Sequence, residues 1–277
     1  MATENIPNDC AADTNIDANT DAKVTAEAPR LVGCAGWSIA SQAGGSFPAG
    51  GTHLERYAQV FDAVEINSSF YRPHRPQTYT RWAASVPAHF RFSVKLPRTI
   101  THERQLTDID APLAQFAAEV AGLGDRLGCI LTQLPPSLVF DATVAEAFFA
   151  HMHGHFTCTI ACEARHPSWF DATATELLRR HRITRVIADP PTGQPGPHVP
   201  TTAGAYLRMH GSPQRYYSSY SEDYLDQLIV DMKTYTQAGR SIWCIFDNTA
   251  SGAALANALS IVARPRVGAI ETGLSPA

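Results

Sequence analysis

No window of this chain approaches the roughly 20 consecutive apolar residues that a membrane-spanning helix needs. The first residues also lack the basic and apolar regions of a secretory signal. The expectation is a cytoplasmic protein with no membrane partner. The six cysteines, at positions 10, 34, 129, 158, 162 and 244, form no C-x-x-C pair, so neither a dithiol redox motif nor a thiolate zinc site is expected from them. Most lie in apolar runs, as buried free thiols in a reducing compartment do. No G-x-G-x-x-G follows the first apolar run, which counts against an open dinucleotide-binding sheet. Nor is there an internal repeat. An excess of one charge is missing too. The first 29 residues hold six acids and one lysine with almost nothing to pack, and read as a disordered acidic tail. Without them 20 acids face 21 bases, so any preference for anions must come from local clustering and not from a global field.

What is present is an alternation. From Leu31, short apolar runs at 31–35, 63–67, 91–96, 128–134, 157–163, 184–188, 205–209 and 241–246 predict eight strands. Segments 52–60, 77–85, 109–123, 144–153, 171–181, 222–237 and 252–262 carry apolar residues at helical spacing, several opened by Ser, Thr or Asp. The stretch 189–204, rich in Pro and Gly, predicts a loop where a helix would fall. Hydrophobic content of 44% suffices to bury a large core. The fold class these imply is α/β, a single (β/α)8 TIM-type barrel with the helix after strand six replaced by a loop. The barrel domain is expected over 30–265, with a short tail over 266–277.

The polar residues fall at strand ends. Strand two ends at Glu65 and Asn67, three at Lys95, four at Gln133, five at Glu163 and Arg165, six at Asp189, seven at Arg208 and His210, and eight at Asp247 and Asn248. Glu163 and Arg165, two apart, point to one side of their strand. In a barrel these ends converge on the mouth where ligands bind. The bland alternative is a structural ion network in which Glu65, Glu163 and Asp189 balance Lys95, Arg165 and Arg208. Loops after strands two, three and seven mix basic and aromatic residues, including Tyr71, His102 and Arg215 to Tyr220. Such loops suit an anionic ligand with flat parts, a phosphorylated sugar, a nucleotide or a single-stranded nucleic acid. The tract His151-Met-His153-Gly-His155 reads as a helix C-terminus stopped at Gly154, not as a metal site. No metal and no cofactor is assigned, and the oligomeric state is left open. Glu65 and Glu163 are candidates for acid and base. Lys95 is either a stabilising cation or, if its neighbours depress it, a Schiff-base amine.

Gly33-Cys-Ala-Gly-Trp-Ser38, Val64-Glu-Ile-Asn-Ser-Ser-Phe-Tyr71, Phe92-Ser-Val-Lys95 with Thr101-His102, Gln133-Leu-Pro-Pro136, Glu163-Ala-Arg-His-Pro-Ser-Trp169, Arg208-Met-His-Gly211 and Asn257-Ala258 occur in that order. Together they resemble the YecE-like family, domain of unknown function 72. The resemblance implies a (β/α)8 barrel with a polar pocket at the strand ends, somewhat like those of xylose isomerases and AP-endonuclease-type enzymes. It implies no reaction. At strand eight the chain has Phe246-Asp-Asn248 where the family more often has Phe-Asn-Asn, which adds a carboxylate.

The first reading is therefore an enzyme on a small anionic ligand. Glu65, Lys95 and Glu163 are its catalytic candidates. Asn67, Tyr71, His102, Gln133, Arg165, Trp169, Arg208, His210 and Asn248 are its ligand-binding candidates. A nucleic-acid-binding protein and a non-catalytic scaffold are the alternatives, the former weakened by near-neutral charge.

Overall fold

The computed structural model describes residues 28–264. The two expected tails fall outside the described residues, apart from Ala28 and Pro29. The strands are β1 (Arg30–Cys34), β2 (Ala63–Ile66), β3 (Arg91–Lys95), β4 (Leu127–Gln133), β5 (Thr159–Glu163), β6 (Thr184–Arg185), β7 (Ile187–Asp189), β8 (Ala205–Met209) and β9 (Ile242–Phe246). The helices are α1 (His53–Tyr57), α2 (Ser68–Tyr71), α3 (Pro76–Ala84), α4 (Asp110–Val120), α5 (Ala142–His155), α6 (Ala172–Arg180), α7 (Glu222–Gln237) and α8 (Ala253–Ala263).

All the ladders are parallel and form two sheets, ordered β2-β3-β4-β5-β6 and β1-β9-β8-β7. Parallel strands need crossover segments, which is why helices intervene between most of them. The run expected as one strand at 184–188 is divided at Val186, whose N–H turns to Cys162 O at 3.0 Å. One residue thus carries the chain from the first sheet to the second. Between β1 and β2 the contact is a single bridge, Ala35 to Glu65, with Gly36 N–H on Glu65 O at 3.0 Å. Deeper along that seam Tyr57 of α1 substitutes for the peptide ladder: its hydroxyl accepts from Cys34 N–H at 2.7 Å and donates to Ala63 O at 3.1 Å. Gly33 makes this approach feasible, because a Cβ there would stand 1.9 Å from Ala63 O.

Helix starts follow capping chemistry. Thr52 and Glu55 form a reciprocal capping box at α1, and Asp141, Asp171 and Ser221 each accept an N–H from the first turn of α5, α6 and α7. The expected span 222–237 is α7 residue for residue. Gly154 does not stop its helix. α5 runs on to His155, where buried Met152 and Phe156 hold the last turn and Phe156 N–H returns to Met152 O. No helix forms over 190–204, and Arg185 ties that loop down through Val199 O and its own N–H on Thr201 Oγ1. Short features escape hydrophobic periodicity, among them the single turn α2 and a π-type turn at Thr99–Glu103.

Most of the apolar core lies between strands and helices. A second, smaller cluster joins Ala63, Cys129, Leu131, Ala161, Val186, Tyr206, Trp243 and Ile245, with Leu31 and Ala35 against it. Its members come from both sheets, so the two sheets share an interior.

Candidate functional site

The alternation of side chains along each strand builds the site directly above that interior cluster. On β2 the series Ala63, Glu65, Asn67 runs from apolar to polar. On β8 it is Tyr206, Arg208, His210; on β9, Trp243, Ile245, Asp247; on β4, Cys129, Leu131, Gln133; on β3, Ser93 and Lys95. Each of these five strands therefore leads from an interior residue to a polar side chain at its C-terminal end.

Arg208 is the centre, with no solvent exposure. Its Nη2 and Nε reach Glu65 Oε1 and Oε2 at 2.6 and 3.0 Å, Nη1 reaches Glu163 Oε2 at 2.5 Å, and Nη2 also reaches Asp247 Oδ2 at 2.9 Å. A planar guanidinium is the one cation whose fork spans three carboxylates in this way. Tyr206 completes Glu65 from below, its hydroxyl 2.8 Å from Oε2 and 2.7 Å from Ser93 Oγ. His210 lies between the other two carboxylates, Nδ1 3.0 Å from Asp247 Oδ2 and Nε2 3.2 Å from Glu163 Oε1. Arg165 donates to Glu163 Oε1 from Nε at 2.9 Å and to the Tyr216 hydroxyl at 3.3 Å. Tyr216 sits at φ 69° and turns its ring edge-on to His210, 5.4 Å between centroids.

Lys95 stands apart from this network. Its Nζ donates to Gln133 Oε1 at 2.6 Å and lies 4.2 Å from the centre of the Phe70 ring. Among the described residues it makes no ion pair. His102 stacks edge-on against the same Phe70 at 4.9 Å. Asn67 donates to Asp247 Oδ1 at 3.4 Å, and its own Oδ1 is buried without a hydrogen-bond partner.

The protonation states follow from these neighbours. Burial raises the Glu163 carboxyl, but Arg208, His210 and Arg165 outweigh it and hold the group well below the usual carboxylate range. Asp247 behaves alike: burial is overcome by Arg208 and by the His210 hydrogen bond. Burial alone would depress His210, yet its bonds to Asp247 and Glu163 raise it above the ordinary histidine value. With a carboxylate at each ring nitrogen, the imidazolium is the fitting form. Lys95 is pushed down to about 8, by burial first and then by Arg208, against the pull of three carboxylates. His102 is lowered by burial, Lys95 and Arg165.

Of the residues expected from sequence, Glu65, Glu163, Arg165, Arg208, His210 and Asn67 join one network; Lys95, Gln133 and His102 form a second group beside it. Three fall elsewhere. Tyr71 is 73% exposed and lines a surface cleft with Arg72 and Arg98. Trp169 is buried, its indole N–H on Leu138 O at 3.0 Å and its ring against Phe140, so it packs the core. Asn248 donates to Ser218 O and Asn257 Oδ1, both at 2.9 Å, and pins the 211–220 loop onto α8. Asp189, expected to balance a cation, instead receives the hydroxyls of Tyr220 and Tyr224 at 2.9 and 2.8 Å. Asp247 takes its place as the third carboxylate. Tyr206 and Ser93 were not singled out, although each stands two residues before a polar strand end, Arg208 and Lys95, and shares its strand parity; Tyr216 was expected only as part of the loop from Arg215 to Tyr220. Among the described residues no group of three or more His, Cys, Asp or Glu is disposed to hold a metal ion.

A parallel α/β fold with a buried, arginine-centred polar cluster at the strand ends defines the class. The profile of the family described as "Protein of unknown function DUF72" matches residues 31–272, and the chain belongs to that family. It is 31% identical over 144 residues to the UPF0759 protein YecE of Escherichia coli K12, a match spanning 50% of this chain and 52%, about half, of that protein. With the UPF0759 protein YunF of Bacillus subtilis the identity is 24% over 262 residues, covering 82% of this chain and 91% of YunF. The crystal structure of a DUF72 family protein of Thermotoga maritima superposes with a TM-score of 0.68 at 26% identity, over 84% of this chain and 98% of that one. One from Enterococcus faecalis gives 0.71 at 21% identity, over 84% and 94%.

Proposed function

We propose that the polar cluster is the active site of an enzyme that takes a small anionic ligand, of the phosphorylated-sugar or nucleotide kind. One observation carries this reading. With His210 protonated, four cationic side chains (Arg208, Arg165, Lys95, His210) face three carboxylates (Glu65, Glu163, Asp247), leaving one positive charge for a ligand to neutralise. Arg165 and Lys95 are the cations to meet it, being 12% and 7% exposed where Arg208 has none. Asn67 Oδ1 offers an unfilled acceptor to a ligand hydroxyl. His210, bonded to both Glu163 and Asp247, is suited to giving and regaining a proton. Glu65, wholly enclosed by Arg208 and Tyr206, acts in this reading as a positioning residue for the cluster.

The reading includes one closed barrel over about 30–265, a single domain. The inward cluster shared by both sheets supports closure, as do the Val186 crossing and the Ala35–Glu65 bridge. The five described cysteines are free and four are buried, which fits a reducing compartment. No helix of the described residues is long and apolar enough to cross a membrane.

Thermal unfolding with millimolar phosphate, sugar phosphates or nucleotides tests the ligand class. Occupancy at 100 times Kd adds about 2.7 kcal/mol, so at least one of them raises Tm, and Arg165→Gln removes the rise. An unmoved Tm with all three refutes the proposal.

A further inference from the structure

Of the 22 basic residues in the chain only three are lysines, Lys23, Lys95 and Lys233. Arginine fills every other cationic position, including both others in the cluster. At the end of β3, then, stands the one cation of the cluster's lysine and arginine set that can lose its proton, since a guanidinium in a protein does not. Its surroundings differ from those of the two arginines. Glu65 is taken up by Arg208, Glu163 by Arg208, Arg165 and His210, and Asp247 by Arg208 and His210. The amine is left with an amide oxygen, Gln133 Oε1 at 2.6 Å, and the face of Phe70 at 4.2 Å. Unlike a carboxylate, an amide oxygen carries no full charge to hold the proton on the amine, and it still accepts a hydrogen bond, a weaker one, once the amine is neutral. Desolvation and a neighbouring cation are what activate a lysine nucleophile; burial supplies the first and Arg208 the second, against the hold of the Phe70 face on the ammonium.

We propose that Lys95 is a carbonyl-condensing amine, and that the ligand of this cluster is an aldehyde or ketone bearing a phosphate or carboxylate. This rests on the anion-binding reading above and names its substrate class. The amine lone pair forms the C–N bond as the carbonyl π pair moves to oxygen, and a proton passes from nitrogen to that oxygen. A second proton, taken from solvent, lets the hydroxyl leave as water while nitrogen closes the C=N bond. Amine, carbonyl and one proton thus give a protonated imine and one water, with nothing oxidised or reduced. His210 is the ring that carries protons within the cluster, and Arg165 meets the anionic group. Burial and Arg208 hold the Lys95 amine near 8, so most of it is charged when the anion arrives, a usable fraction is neutral for attack, and the protonated imine restores the positive charge.

The intact chain is incubated with dihydroxyacetone phosphate, glyceraldehyde 3-phosphate or pyruvate and then treated with sodium borohydride, which delivers hydride to an imine carbon and leaves a stable secondary amine. Peptide mapping distinguishes the three lysines on the wild-type protein, so no variant is needed for the decision. The expected result is one adduct per chain on Lys95, blocked by inorganic phosphate and absent in Lys95→Arg. No adduct with any of the three compounds, or equal labelling of Lys23 or Lys233, overturns the proposal. A Tm raised by inorganic phosphate without trapping leaves the anion-binding reading standing and removes the imine. Trapping at Lys95 that phosphate does not block keeps the amine and removes the anion contact.

Discussion

Arg208 and Glu65 meet as a two-point pair, Nη2 to Oε1 at 2.6 Å and Nε to Oε2 at 3.0 Å, with neither side chain exposed. Replacing such a pair as a whole is often tolerated, whereas removing one member strands the other. Arg208→Met strands three carboxylates at once. The expected loss is about 3–5 kcal/mol, the range that breaking a buried pair costs, and Arg208→Lys recovers little because an ammonium lacks the fork. Urea denaturation reads this; a midpoint equal to wild type shows that the cluster is not holding the fold.

Acid destabilises through Glu163 and Asp247. Both are held below their ordinary values in the folded chain, so their stabilisation is complete above the unfolded carboxylate range, near 4. It is lost as pH falls through the folded values. Glu163→Gln flattens that acid limb. His210 works in the opposite sense: raised on folding, it stabilises fully below about 6.5 and loses this as pH rises through its folded value. Denaturation midpoints of His210→Gln measured from pH 6 to 8 show less decline than wild type.

Lys95 opposes folding at neutral pH. Its value falls on folding from 10.5 to about 8, a cost of about 3 kcal/mol at 1.36 kcal/mol per unit. Below 8 both states are protonated and the cost is carried in full. Between 8 and 10.5 the unfolded chain binds the extra proton, so stability rises with pH. Lys95→Met is expected to be more stable than wild type at pH 7, with the difference shrinking toward pH 10. Equal stability at pH 7 contradicts the assignment.

Gly33→Ala drives a Cβ to 1.9 Å from Ala63 O and 2.9 Å from the Tyr57 hydroxyl. Backbone cannot yield as a side-chain tip does, and the expected destabilisation is about 3 kcal/mol or more. Tyr57→Phe is milder, about 1–3 kcal/mol for buried groups left unpaired, and hydrogen exchange at the Cys34 amide accelerates.

Strand ends were legible because polar residues interrupt otherwise apolar runs at a constant depth, and this placed Glu65, Lys95, Glu163, Arg208 and His210. The parity of Glu163 and Arg165 also emerges as a contact, Arg165 Nε on Glu163 Oε1 at 2.9 Å. What periodicity does not encode is the direction of residues beyond a strand's last rung. Trp169, Tyr71 and Asn248 follow strand ends, but local turns aim them at the core, at solvent and at α8. Likewise Asp189 and Asp247 are equivalent in sequence, each ending a strand; the tyrosines of α7 and its preceding loop claim the former. The break at Val186 was invisible because a valine between two strand residues carries no turn signal.

Glu65 serves two structures with its two ends. Its carbonyl oxygen takes the Gly36 N–H across the junction of the sheets, and its carboxylate takes Arg208. Any widening of that junction therefore drags an anion away from its guanidinium, while any loss of the guanidinium frees the backbone that fastens the junction. Mechanical integrity and charge neutrality are here a single property, vested in one residue.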